Sequence, residues 1–137
     1  MTESIEVANK INEMNVWIKQ LLGKLKAAGA TKAATKSAYD GAVSVAEVQL
    51  RYYSGKKLYA LLQKLPNFPE DITVNDILDG GKIPANLIVK IAPGLCCEES
   101  CKMDTANSDY KNLVVKIDAT EAMLNSQQSI NRHLSHV

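Results

Sequence analysis

From Val7 to Ala28 an apolar residue returns alternately every fourth and third position, through Val7, Ile11, Met14, Ile18, Leu21, Leu25 and Ala28. That alternation keeps one stripe on one face of a long helix and requires a second helix to cover it. A second register with the same spacing runs through Ala34, Ala38, Gly41, Val45, Val48, Tyr52, Gly55, Tyr59 and Leu62. Beside it, about one residue round the helix, lies another stripe, Tyr39, Val43, Ala46, Leu50 and Tyr53. The resulting apolar arc is broader than one neighbour covers, which places this segment in the middle of a bundle.

The 137 residues form one domain with room for a modest core, thin if the helices are drawn out. Hydrophobic residues make up 46% and charged residues 23%, ordinary globular usage that argues against wholesale disorder. The start, MTESIEV, lacks the basic region and apolar run of a secretory signal, and no stretch approaches eighteen uncharged apolar residues. A soluble protein with no membrane partner, in the cytoplasm of a bacterial host cell, is expected. Three cysteines, an odd number, read as reduced thiols rather than a disulfide framework.

A net charge of +1 conceals an asymmetry, because residues 1 to 65 carry ten basic against five acidic side chains and residues 66 to 137 carry six against ten. No acidic residue falls between Glu13 and Asp40, where Lys19, Lys24, Lys26, Lys32 and Lys36 all lie. If residues 27 to 31 turn a helical hairpin, these lysines gather near its tip. A solvated face is the plainer reading of such a run, and a contact for nucleic acid or an acidic protein surface the sharper one. Only two of the sixteen basic residues are arginine, which suits phosphate positioning better than base readout.

Punctuation divides the chain. Gly29 closes a first helix over about 3–28, and Thr31 caps a second that runs over 32–65 until Pro66 and Pro69 stop it. The insert 66–83 follows. In it Asp79-Gly80-Gly81-Lys82-Ile83 has the turn chemistry of a tight hairpin. A short helix capped by Thr73, with Asp76 three residues on, is the rival, and the hairpin is favoured only slightly. Pro84 opens a short helix over 84–92 with Ile83, Leu87, Ile88 and Ile91 on one face. A last helix over 106–135 uses Tyr110, Leu113, Ile117, Leu124, Ile130 and Leu134. The expected fold is mainly α, a long antiparallel helical hairpin or bundle with a short irregular or β-hairpin insert.

The final helix turns polar over Asn125-Ser-Gln-Gln-Ser-Ile-Asn131-Arg132, a run that packing alone does not demand. It is either a solvated helix end or an interface in which Gln127, Gln128, Asn131 and Arg132 recognise a partner's backbone or phosphates. Cys97 and Cys101 stand four apart and His133 and His136 three apart, a zinc set in kind but not in spacing. Free thiols and solvent histidines are the preferred reading, with no metal and no cofactor. Nothing orients a base beside a thiol, no carboxylate pair stands out, and Gly80-Gly81-Lys82 lacks the longer loop and the Ser or Thr of a phosphate cradle. An enzyme is not expected.

The block Ile83-Pro-Ala-Asn-Leu-Ile-Val-Lys-Ile-Ala92, with Gly94, Cys97-Glu98-Glu99, Asp109-Tyr110-Lys111 and the Gln-Ser-Ile-Asn-Arg ending over 128–132, resembles small uncharacterised helical proteins of tailed phages and prophages of Gram-positive bacteria. Ala38-Tyr39-Asp40 and Gly80-Gly81-Lys82-Ile83 fit the same pattern, so the resemblance spans roughly residues 38 to 134. Pro93 and the extra Cys96 and Cys101 depart from it. The resemblance implies a non-enzymatic binding protein, and its first form is an anti-CRISPR-like inhibitor docked on a host defence nuclease complex. An accessory factor of phage DNA recombination or replication, binding nucleic acid or a recombinase, is the second. A structural homo-oligomer is the third.

Overall fold

A computed structural model describes residues 2 to 135, and among them every regular element is helical. Helix α1 spans Thr2–Tyr52, α2 Gly55–Leu62, α3 Val74–Leu78, α4 Ala85–Ile91 and α5 Cys97–Ser135, with a 3-10 turn over Ala92–Cys96 leading into α5. The chain is thus mainly α, as expected.

The expected turn at residues 27–31 is absent, because α1 continues through it. Two local causes are visible. Thr31 does not cap a new helix; its hydroxyl donates to the Ala27 carbonyl 3.1 Å away, one turn back in the same helix. The seam also keeps its phase across Gly29, since Ala28 is followed at the same alternating interval by Lys32, Thr35, Tyr39, Ala42, Ala46 and Gln49. One glycine costs only about 1 kcal/mol in a helix interior, too little to stop a helix whose buried stripe runs on.

The break comes later. Tyr53 still donates its N–H to Gln49 O, but Gly55 takes a φ of +59°, a left-handed conformation suited to glycine, and α2 starts afresh. The single helix expected over 32–65 is therefore two, and α2 ends at Leu62.

The insert holds the short helix rather than the hairpin. Thr73 precedes α3 in extended conformation, and Gly80 and Gly81 close it: Gly80 N–H donates to Ile77 O at 3.1 Å and Gly81 N–H to Asp76 O at 2.7 Å. With Gly80 at φ +94°, these two bonds form a Schellman cap, so the glycine pair terminates a helix instead of turning strands.

The chain divides into two compact units. The first draws on the described residues of Met1–Ala33 and Thr105–Val137, the second is Ala34–Asp104. In the first, a pair of helical segments runs antiparallel: Lys32 lies over the Tyr110 ring at 4.6 Å, whereas Glu13, Met14 and Trp17 meet Thr120 and Met123. The α1 residues of its interior are those of the first seam, with Leu21 buried and Val7, Ile11, Met14, Ile18, Leu25 and Ala28 half-buried. Opposite them α5 turns in Ala106, Tyr110, Leu113, Ile117, Thr120, Leu124, Gln127, Asn131 and Leu134. Thr120 is tolerated there because its hydroxyl donates to Lys116 O at 2.8 Å. Ile130, expected in the stripe, is 42% exposed.

The second unit closes a core of Ala46, Leu50, Leu58, Leu61, Leu62, Ile77, Ile83, Ile88, Ile91, Ala92 and Cys96. The Tyr59 and Phe68 rings, 6.1 Å apart and tilted, pack against it. Ile83, Leu87, Ile88 and Ile91 all turn inward, as their shared face predicts.

Candidate functional site

The residues singled out from sequence are dispersed. With no turn in α1, Lys19, Lys24, Lys26 and Lys32 are strung along about 20 Å of helix in the first unit, and Lys36 belongs to the second. Successive residues turn by about 100°, so Lys19 and Lys26 share a face that Lys24 does not. All five are exposed. Two of them meet aromatic rings: the Lys24 ammonium is 5.8 Å from the Trp17 ring centroid, and Lys32 covers Tyr110. Lys32 also borders an open cleft of about 530 Å³ with Asn107, Ser108, Tyr110, Lys111 and Val114.

The polar run on α5 is neither wholly solvated nor wholly presented outward. Gln127, Gln128 and Asn131 are half-buried, and Arg132 is exposed. Gln127 Oε1 is buried without a hydrogen-bond partner among the described residues, so this amide faces the paired helices rather than solvent. Gln127 and Asn131 occupy the positions that an apolar seam would fill.

The cysteines separate by burial. Cys96 is in the core, and burial, with Glu99 and Cys97 adding to it, pushes its thiol pKa up, so it behaves as a small hydrophobe. Cys97 and Cys101 are exposed, and the Cys97 thiol lies 3.1 Å from Gly94 O as donor. His133 is exposed in the other unit, and His136 lies outside the described residues. Among the described residues no group of three or more Cys, His, Asp or Glu could hold a metal ion.

Sequence patterning passes over the exposed side of the helix pair. Trp17, the one tryptophan, stands 41% exposed beside Met123 at 58%. Together with Glu13, Met14 and Thr120 they line a cleft of about 360 Å³. Val16, adjacent in sequence, is also exposed. Trp17 lies one position from Ile18 of the seam, so the heptad reading places it off the buried stripe. A lone large aromatic just off a seam is the available signal.

A second exposed apolar surface lies on α1 within the other unit. The register Ala34, Ala38, Gly41, Val45, Val48, Tyr52, expected as a seam, faces solvent, whereas the neighbouring stripe Tyr39, Val43, Ala46, Leu50, Tyr53 packs inward. Val45 also borders a cleft of about 290 Å³ with Ala42, Gln49, Leu61, Leu95 and Glu99 among its walls.

No described helix is long and apolar enough to cross a membrane. Compared with known proteins, the chain matches no family model, no curated protein and no solved structure.

Proposed function

We propose that this chain works by docking on another protein, without catalysis, through the Trp17 and Met123 cleft of the helix pair. The observation that carries the reading is a tryptophan held at the rim of a preformed apolar cleft although a seam one position away would bury it. Tryptophan and methionine are the side chains interfaces favour, because each removes a large apolar area from water on contact. The antiparallel pair holds Met14 and Thr120 beneath them, so the surface is set before a partner arrives.

The resemblance to small phage and prophage proteins gives this reading its particular form, inhibition of a host defence nuclease such as a CRISPR effector. The test is nuclease cleavage with the chain titrated in. Wild-type protein should suppress cleavage, and Trp17→Ala and Met123→Glu should relieve the block while leaving thermal melting unchanged. Suppression that survives both substitutions would remove the cleft from the account. A recombination accessory binding nucleic acid directly would instead bind short DNA at physiological salt without any protein partner. Reversing Lys19, Lys24, Lys26, Lys32 and Lys36 would then flatten the salt dependence by a logarithmic slope of about 0.7–0.9 for each phosphate no longer neutralised.

A further inference from the structure

The solvent-facing register of α1 raises a question separate from the Trp17 cleft. Ala34, Ala38, Gly41, Val45, Val48 and Tyr52 recur at intervals of four and three, the spacing of a helix-packing seam. Val45 is 57%, Val48 51% and Tyr52 69% exposed. The core unit uses the stripe next to this one, so nothing within the unit covers it. We infer that this ridge is a dimer interface, in which α1 residues 41–52 of two copies of the chain pack antiparallel about a two-fold axis between positions 46 and 47.

Side-chain size and charge select that arrangement. Antiparallel pairing about this axis sets Val45 against Val48 of the partner subunit, and Gly41 against Tyr52 of the partner subunit. Gly41 has open space where a side chain would stand, room for a tyrosine ring from across the axis. The same register brings Arg51 to within two residues of the level of Asp40 of the partner subunit. Both lie on the flank of the ridge that carries Ser37, Ser44 and the half-buried Glu47, and the two-fold repeats the pair. Asp40 and Arg51 are exposed, and neither forms an ion pair with another described residue.

A parallel dimer would do the reverse. It would set Arg51 against the uncharged flank of the partner subunit, crowd two tyrosines into one layer and leave two glycines facing across another. The lost ion pair and the void both disfavour it. The other flank, Thr35, Ala42 and Gln49, carries no charge to oppose either direction. The ridge has only three large apolar side chains, so the dimer is a weak, concentration-dependent one.

The inference does not rest on the proposed docking function, since the ridge and the Trp17 cleft belong to different units. It is tested by sedimentation equilibrium of the whole chain over a wide concentration range, with circular dichroism confirming that each variant folds. Wild type should move from monomer to dimer, and Val48→Glu should stay monomeric. Arg51→Asp should weaken association about tenfold by setting like charges together, and the double exchange Asp40→Arg with Arg51→Asp should restore it. Trp17→Ala should leave the dimer intact. A chain that stays monomeric throughout, a dimer indifferent to Val48→Glu, or a double exchange that fails to rescue would each overturn the assignment.

Discussion

The helix pair and the core unit solve the burial problem in opposite ways. In the pair, each helix offers one stripe to one neighbour, and among its described residues only Leu21, Ala106, Ile117 and Thr120 are buried. In the core unit, several short segments converge on α1, and Leu50, Leu58 and Leu62 are shut away from water almost completely. A two-helix contact leaves most seam residues one side open, Leu21 excepted, whereas a cluster walled by several elements encloses its centre. The pair therefore leaves more of its apolar surface open to solvent, and the core unit encloses more of its own.

Truncation at the two centres should separate them most widely. Leu62→Ala should cost about 2–5 kcal/mol and sit high in that range, because walls on several sides hold the cavity open. Leu21→Ala should fall at the low end, since two helices can close over a smaller side chain. Chemical denaturation monitored by hydrogen exchange reads both, and equal losses would erase the contrast.

Backbone substitutions probe the same contrast through its sign. A Cβ at Gly81 would come within 2.5 Å of Asp76 O, the acceptor of its own capping bond, so Gly81→Ala should cost about 1–3 kcal/mol through disruption of that bond and strain. Gly23, in the helix pair, has open space around it, and Gly23→Ala should instead stabilise by up to about 1 kcal/mol. The same melting curves show both signs. A destabilised Gly23→Ala would mean the pair is packed more tightly than its exposed face implies.

Gln127→Leu should also stabilise the pair, by about 1 kcal/mol, because the buried Oε1 loses hydration without gaining a donor. A drop in stability on that change would show that the amide serves the pairing. The smallest effect is chemical. Under mild alkylation Cys97 and Cys101 should react early and Cys96 only on unfolding, since burial keeps its thiol protonated and out of reach. Peptide mass spectrometry distinguishes the three, and early modification of Cys96 would show that the core unit opens readily.

Legibility follows the same division. The stripe from Val7 to Ala28 is readable because a helix facing a single partner obeys a single period. The α4 face is readable for the same reason. The capping glycines mislead because an Asp-Gly-Gly run serves a hairpin turn and a Schellman cap equally well. What distinguishes them is whether the preceding residues bury one helical face, and Ile77 does. The lysine cluster dissolves with the turn it presupposes. The Trp17 cleft is illegible, since it exists only where Met123 arrives from more than a hundred residues away.

Local chemistry suffices to make this chain helical, to start α4 after Pro84, and to turn one face of the first thirty residues inward. Those outcomes depend on period, proline and local hydrogen bonding, which act over a few residues. Long-range packing alone settles that the partner of α1 in the first unit is α5, and that Tyr39, Ala46 and Leu50 are covered while Val45, Val48 and Tyr52 are left to solvent. Two adjacent apolar stripes on one helix both satisfy the helical period, so spacing does not choose between them. The choice between them is made by where α2, α4 and the 3-10 turn can reach.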